Sequence, residues 1–152
     1  LIHQPFGDYY GTYRAMEEFY KAGKIRAIGV ANFYRGKFTE FAEIAETKPM
    51  VNQIRYFIGN TEPAVTKYAQ EAGLLVEAYS PLATGRLIGN DRIQTIADQY
   101  GVTTAQLAIR FCLQNGVLPL PKASHLEHAQ NNADVDGFVI SDADMALLNA
   151  WQ

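Results

Sequence analysis

A single cysteine, Cys112, excludes an intrachain disulfide and points to a reducing setting, for which a cytoplasmic location is expected. No apolar run approaches the roughly 18 residues of a membrane span, and no signal-peptide pattern precedes the first apolar stretch. No membrane association is expected. No basic run is longer than two residues and the formal net charge is −3, so a nucleic-acid surface is not expected either. No G-x-G-x-x-G follows a strand pattern, and no Walker A sequence is present. Low-complexity segments are missing. His125 and His128 stand three apart without a third ligand at metal spacing, so no metal site is expected.

What is present is an alternation of helix and strand signals. Nearly half of the residues (48%) are apolar, enough to build one domain with a core. Helical periodicity runs over Thr12 to Ala22, with Gly23 as its stop, and over Gly36 to Glu46, ended by Lys48-Pro49. A third helix starts at Thr61-Glu62-Pro63 and stops at Gly73. Further helices span Arg92 to Tyr100 and the stretch from the Thr103 cap to Gly116. Ser124-x-x-Glu127 and Ser141-x-x-Asp144 read as caps of two more. Strand patterns cover Lys24 to Val30, Met50 to Ile54, Leu74 to Tyr79 and Val117 to Leu120. Leu1 to His3 reads as the stump of an earlier one, making five. Cys112 lies in an apolar helical pattern beside Phe111, as an inert core thiol would.

Strands separated by helices imply βαβ crossovers and a parallel sheet. Strand starts at Lys24, Met50 and Leu74 lie 26 and 24 residues apart, a period that fits barrel units and a doubly wound sheet nearly equally well. The chain opens inside an apolar run and closes at the last turn of a helix pattern. Natural boundaries fall in polar linkers, so a piece truncated at both ends is expected.

In a parallel barrel the chemistry sits at the C-terminal strand ends. His3, Asn32, Gln53, Tyr79, Ser80 and Lys122 occupy such ends here. All but Ser80 have two readings. Asn32 and Gln53 offer a donor and an acceptor suited to a carboxamide, or serve as loop and cap residues. Tyr79 is a stacking plane or a barrel-layer filler. His3 is a carbonyl-orienting group or a structural residue. Lys122, just before a short helix, is an anion ligand aided by free N–H groups, or a surface lysine at a proline turn.

Five segments decide among these readings by resemblance. They are His3-Gln4-Pro5, Gly23 to Phe33 (G-K-I-R-A-I-G-V-A-N-F), Val51-Asn52-Gln53, Ala78-Tyr79-Ser80-Pro81-Leu82 and Leu120-Pro121-Lys122. In this order they resemble the aldo-keto reductases, in particular the bacterial group near the diketogluconate reductases. The resemblance implies an α/β fold of the parallel (β/α)8 TIM-barrel family. Residues 1–152 would be the C-terminal part of a single barrel domain, with about the last five strands and their helices. It implies NADPH as cofactor, with NADH as the alternative, and reduction of small aldehydes or ketones to alcohols.

Family roles carry over residue by residue. His3 resembles the histidine of the catalytic Asp-Tyr-Lys-His tetrad. Asn32 and Gln53 resemble the pair holding the nicotinamide carboxamide, and Tyr79 the ring that stacks on it. Ser80 and Leu82 resemble residues along the pyrophosphate. Lys122 resembles the ligand of the adenosine 2′-phosphate, while Ser124, His128 and Asn132 fall at the adenosine end. The pattern departs at Ala31 and Ala123, where serines are usual, at His128, where arginine is usual, and at Asn131, where glutamate is common. The tetrad's Asp, Tyr and Lys lie upstream of the His3 strand in the family, and no residue here matches them. The family's long C-terminal loop is also unmatched. An isolated chain is therefore expected to be inactive, needing the missing N-terminal half of the barrel or another chain as its partner. The alternative is a non-catalytic half-barrel, a structural or cofactor-binding module.

Overall fold

The computed structural model describes residues 1–151. Its elements are α1 (Tyr9–Lys21), β1 (Gly29–Ala31), α2 (Arg35–Ile44), β2 (Val51–Arg55), α3 (Pro63–Glu71), β3 (Leu75–Tyr79), a 3-10 turn (Ala83–Gly85), α4 (Asp91–Gln99), α5 (Thr104–Gln114), β4 (Val117–Leu120), α6 (Leu126–Ala133) and α7 (Asp142–Asn149). The four strands form one sheet in the order β1-β2-β3-β4. Each strand lies beside its predecessor in sequence. A doubly wound sheet would reverse direction at a switch point, whereas a barrel adds strands one way round. Strand order therefore selects the barrel type, which periodicity left open.

The chain divides into two compact units. The first holds residues 1–54 and 62–77. Asp8 starts α1 by accepting the Gly11 N–H at 2.7 Å, which moves the start upstream of the expected Thr12. β1 pairs in parallel with β2, matching Gly29 with Val51 and Ala31 with Gln53. The strand expected from Lys24 is only three residues long. Lys24 instead donates its N–H to the Phe19 carbonyl at 3.0 Å, closing α1, and residues 24–27 are exposed. Gly29 is required where β1 begins, because a Cβ there would lie 2.5 Å from the Val51 carbonyl oxygen. The fifth strand is reduced to one bridge. Ile2 takes the place of a strand beside Val30, with its N–H to the Gly29 carbonyl at 3.0 Å and its own carbonyl to Ala31 N–H at 2.7 Å. Phe33, Phe38, Phe41 and Ile54 fill the core of this unit. Pro63 opens α3 as expected.

The second unit holds residues 55–61 and 78 onward. Its core gathers Tyr56, Ile93, Leu107, Phe111, Cys112 and Val117. Thr103 forms a full capping box on α5: its hydroxyl accepts the Gln106 N–H at 3.2 Å, and Gln106 Oε1 accepts the Thr103 N–H at 3.0 Å. Ser141 caps α7 as expected. The cap expected at Ser124 does not form. α6 begins at Leu126, with His125 in the capping position and no side-chain capping bond. Cys112 is fully buried, and burial pushes its thiol up to about 12.

Candidate functional site

In the first unit the alternating pleat of β2 sorts its side chains. Asn52 and Ile54 are buried, while Val51 and Gln53 stand on the opposite, half-exposed face. Asn52 is held there as a structural residue, its Nδ2 donating to the Phe33 carbonyl at 2.8 Å. Gln53 projects from the other face and donates Nε2 to Glu77 Oε2 at 2.9 Å. Glu77 thereby fixes the orientation of the Gln53 amide. Asn32 follows β1 at φ +63, a left-handed conformation that asparagine tolerates better than most residues. Its backbone N–H donates to the Gln53 carbonyl at 2.9 Å, and its Nδ2 donates to the His3 carbonyl at 2.9 Å. Three expected site residues thus meet at one group of strand ends. His3 is exposed beside them.

In the second unit Tyr79 closes β3, half-buried, with its carbonyl accepting the Tyr56 N–H. A tight loop follows. Ser80, Ala83 and Thr84 all hold positive φ (53°, 50° and 56°), and the Ser80 carbonyl accepts the Ala83 N–H at 2.9 Å. Such backbone is costly for residues with a Cβ and concentrates at ligand-binding loops. Beside this loop two guanidinium groups flank Phe57: Arg55 at 5.3 Å and Arg86 at 5.7 Å from its ring centre.

Beyond β4 lies a cavity of about 390 Å³. Leu82, Lys122, His128 and Asn132 line it, four of the expected cofactor residues from three separate segments. Glu127 and Asn131 join them. Ser124 is exposed and Ser80 half-buried, and both lie outside this lining. Sequence reasoning placed Glu127 in a capping box, and the structure turns it to the cavity instead. Glu77, Arg55 and Arg86 were also not foreseen. Glu77 was legible in part, since it shares the face of β3 with Tyr79.

A cavity of about 200 Å³ in the first unit lies against α1 and α2 and has another character. There Glu17 accepts the Thr47 N–H at 2.6 Å, and the Tyr13 hydroxyl donates to the Thr47 carbonyl at 3.1 Å. Burial pushes the Tyr13 phenol well up. These bonds latch α1 to the turn before β2. Among the described residues no three His, Cys, Asp or Glu side chains are grouped to hold a metal, and no helix is long and apolar enough to cross a membrane.

A sequence model of the Aldo/keto reductase family matches residues 1–152. The chain belongs to the aldo/keto reductase family. Glyoxal reductase of Bacillus subtilis is 40% identical over 151 residues, which are 99% of this chain and 55% of that protein. The NAD(P)H-dependent D-xylose reductase of Scheffersomyces stipitis is 32% identical over 149 residues, 89% of this chain and 47% of that protein. Among solved structures, the aldo-keto reductase MGS-M4 from a deep-sea metagenome library superposes with a TM-score of 0.92 at 31% identity, over 97% of this chain and 57% of that one. The aldo-keto reductase AKR2E5 complexed with NADPH superposes with a TM-score of 0.86 at 28% identity, over 95% and 48%. The chain spans about half the length of the aldo-keto reductases it matches. Its fold is accordingly the α/β barrel type of this family, seen here as four parallel strands with their helices.

Proposed function

We propose that this chain carries the cofactor-binding part of an NAD(P)H-dependent carbonyl reductase, within one barrel domain that other sequence completes. The observation that carries the reading is the cavity after β4, where an ammonium from the loop after β4 and an imidazole and two amides from α6 line one space, with the Glu127 carboxylate beside them. That donor set fits a phosphorylated ribose. The names of the similar proteins, a glyoxal reductase and an NAD(P)H-dependent D-xylose reductase, and the NADPH complex of AKR2E5 support the same chemistry.

Lys122, His128 and Asn132 would hold the ribose-phosphate end, with Ser124 farther along the adenosine. Ser80 and Leu82 would line the pyrophosphate. Asn32 and Gln53 would hold the carboxamide, the latter preset by Glu77, and Tyr79 would lie flat against the ring. When bound, the reduced nicotinamide supplies the hydride for a small aldehyde or ketone. His3, anchored through its carbonyl by Asn32, would direct its imidazole to the substrate carbonyl oxygen. The catalytic acid is expected from sequence outside this chain. A reducing cytoplasm fits the buried, unpaired Cys112 thiol.

The test is cofactor titration of the full-length protein carrying this chain. Lys122→Ala weakens NADPH by about ten- to a hundredfold, the scale of lost charge-assisted hydrogen bonds, and leaves NADH nearly unchanged. Equal loss for both cofactors rejects the assignment.

A further inference from the structure

The cavity between α1 and α2 lies wholly in the first unit and takes no part in the cofactor reading. Helical spacing builds it. Tyr10, Tyr13, Arg14 and Glu17 share one face of α1, and Phe41 and Ile44 meet them from α2, with Ala45 and Glu46 just beyond it. The Phe41 ring centre lies 4.9 Å from that of Tyr13 and 5.5 Å from that of Tyr10. The walls are thus mainly aromatic and aliphatic. Their volume of about 200 Å³ suits a molecule smaller than a drug-sized ligand.

Glu17 is the exception in these walls. It is only 5% exposed. Its Oε1 accepts the Thr47 N–H at 2.6 Å, and that is its one hydrogen bond among the described residues. A carboxylate offers about four acceptor positions, and one buried with a single donor is under-compensated. Oε2 is left without a partner in a residue that lines the cavity. Holding Thr47 requires one acceptor and no charge, so the latch does not account for a carboxylate. Lys21, one turn farther along α1, is taken by Glu46 at 2.6 Å. Arg14 also lines the cavity, is exposed, and forms no ion pair among the described residues.

An ammonium group supplies what Glu17 lacks, bringing several N–H donors and the opposite charge. Aromatic faces attract the same cation and pack against the carbons that carry it. Water brings donors without charge, and the rings around it give it few further partners. We propose that this cavity is a ligand site for a small primary ammonium compound with an apolar body, held by Glu17 and enclosed by Tyr10, Tyr13 and Phe41. The ammonium belongs either to a free amine or to an amino acid, whose carboxylate would meet Arg14. The site is independent of the cofactor reading.

The experiment measures binding in the full-length protein carrying this chain, with and without NADPH. Phenethylamine, L-phenylalanine and the uncharged 2-phenylethanol are titrated by calorimetry. Phenethylamine binds at least about tenfold more tightly than the alcohol of the same shape, the equivalent of one charge-assisted hydrogen bond. NADPH leaves its affinity unchanged. Glu17→Gln keeps an acceptor for the Thr47 N–H and removes the charge, so the amine falls to the level of the alcohol while thermal unfolding stays near that of the wild type. Tyr10→Ala weakens both probes, which locates them in this cavity. The wild-type comparison and Tyr10→Ala carry the test even where Glu17→Gln fails to fold. L-Phenylalanine bound more tightly than phenethylamine, with that advantage lost in Arg14→Gln, identifies an amino acid; L-phenylalanine bound no better identifies a free amine, and either result upholds the ammonium site. Amine and alcohol bound equally by the wild type overturn the proposal. So does an amine preference that survives Glu17→Gln, an amine affinity that survives Tyr10→Ala, competition with NADPH, or no binding of the amine at millimolar concentration.

Discussion

Single residues in this chain divide into those set by burial and those proposed to meet the cofactor. Tyr79 is half-buried at a strand end. If it stacks on the nicotinamide, Tyr79→Ala lowers cofactor affinity in the full-length protein while Tyr79→Phe changes it little, because the ring and not the hydroxyl makes the contact. A Phe variant as weak as the Ala variant, by fluorescence titration, counts against stacking. Cys112 is the opposite kind. Its thiol is held up to about 12 by burial, whereas an unfolded chain releases that proton near its ordinary value of about 8.5. The folded form therefore binds more protons between those values, and the stabilisation is present below them and lost as pH rises through them. Tyr13 and Tyr56, raised by the same burial, add to the trend. Chemical denaturation is expected to show stability falling from about pH 8.5 upward, with a shallower fall in Cys112→Ala. An unchanged slope in that variant would exclude Cys112 as a contributor.

Caps test the account of the elements most directly. Thr103 and Ser124 sit in similar local patterns, each three residues before Gln or Glu. Thr103 forms the reciprocal box, while Ser124 is exposed and α6 starts two residues later. Thr103→Ala is expected to cost about 1 kcal/mol, the usual worth of such a cap. Ser124→Ala should stay within about 0.5 kcal/mol of wild type, as surface changes do. Thermal unfolding of the two variants side by side checks both, and a Ser124→Ala loss as large as that of Thr103→Ala would restore the capping box at α6. α6 buries none of its residues, and Glu127 faces the cavity rather than turning back to its own helix end.

At the scale of the whole molecule the sheet is the deciding feature. β1 and β4 are its outer strands, and among the described residues the Ile2 bridge alone continues it beyond β1. Unpaired strand edges invite association. The purified 152-residue chain is expected to associate and, on the proposed reading that the catalytic acid comes from other sequence, not to reduce carbonyls, since general acid catalysis contributes roughly 10²–10⁴ in rate. Restoring the rest of the barrel is expected to bring back aldehyde-dependent NADPH oxidation. Turnover by the chain alone, at a rate like that of the restored barrel, would show that one of its own residues supplies the proton.

Much of this was legible in the sequence by itself. Helical periodicity, the Pro63 start, the Thr103 and Ser141 caps and the strand patterns of β2, β3 and β4 are local, set by the spacing of apolar residues and the chemistry of chain ends, and each appears close to its expected place. The candidate ligands Asn32, Gln53, Tyr79 and Lys122 were legible because strand ends are where a parallel fold puts its chemistry. Three features were not. The one-way strand order that separates a barrel from a doubly wound sheet is a matter of pairing between distant segments, to which no local period is sensitive. The shortness of β1 follows from Lys24 giving its N–H to α1, a competition for one hydrogen bond that strand propensity does not register. The partners of the site, Glu77 on Gln53 and Glu127 beside Lys122 and His128, come from segments tens of residues apart or from a helix face that a capping motif had already claimed. Only tertiary structure decides those, because a carboxylate's role is set by what folding places against it.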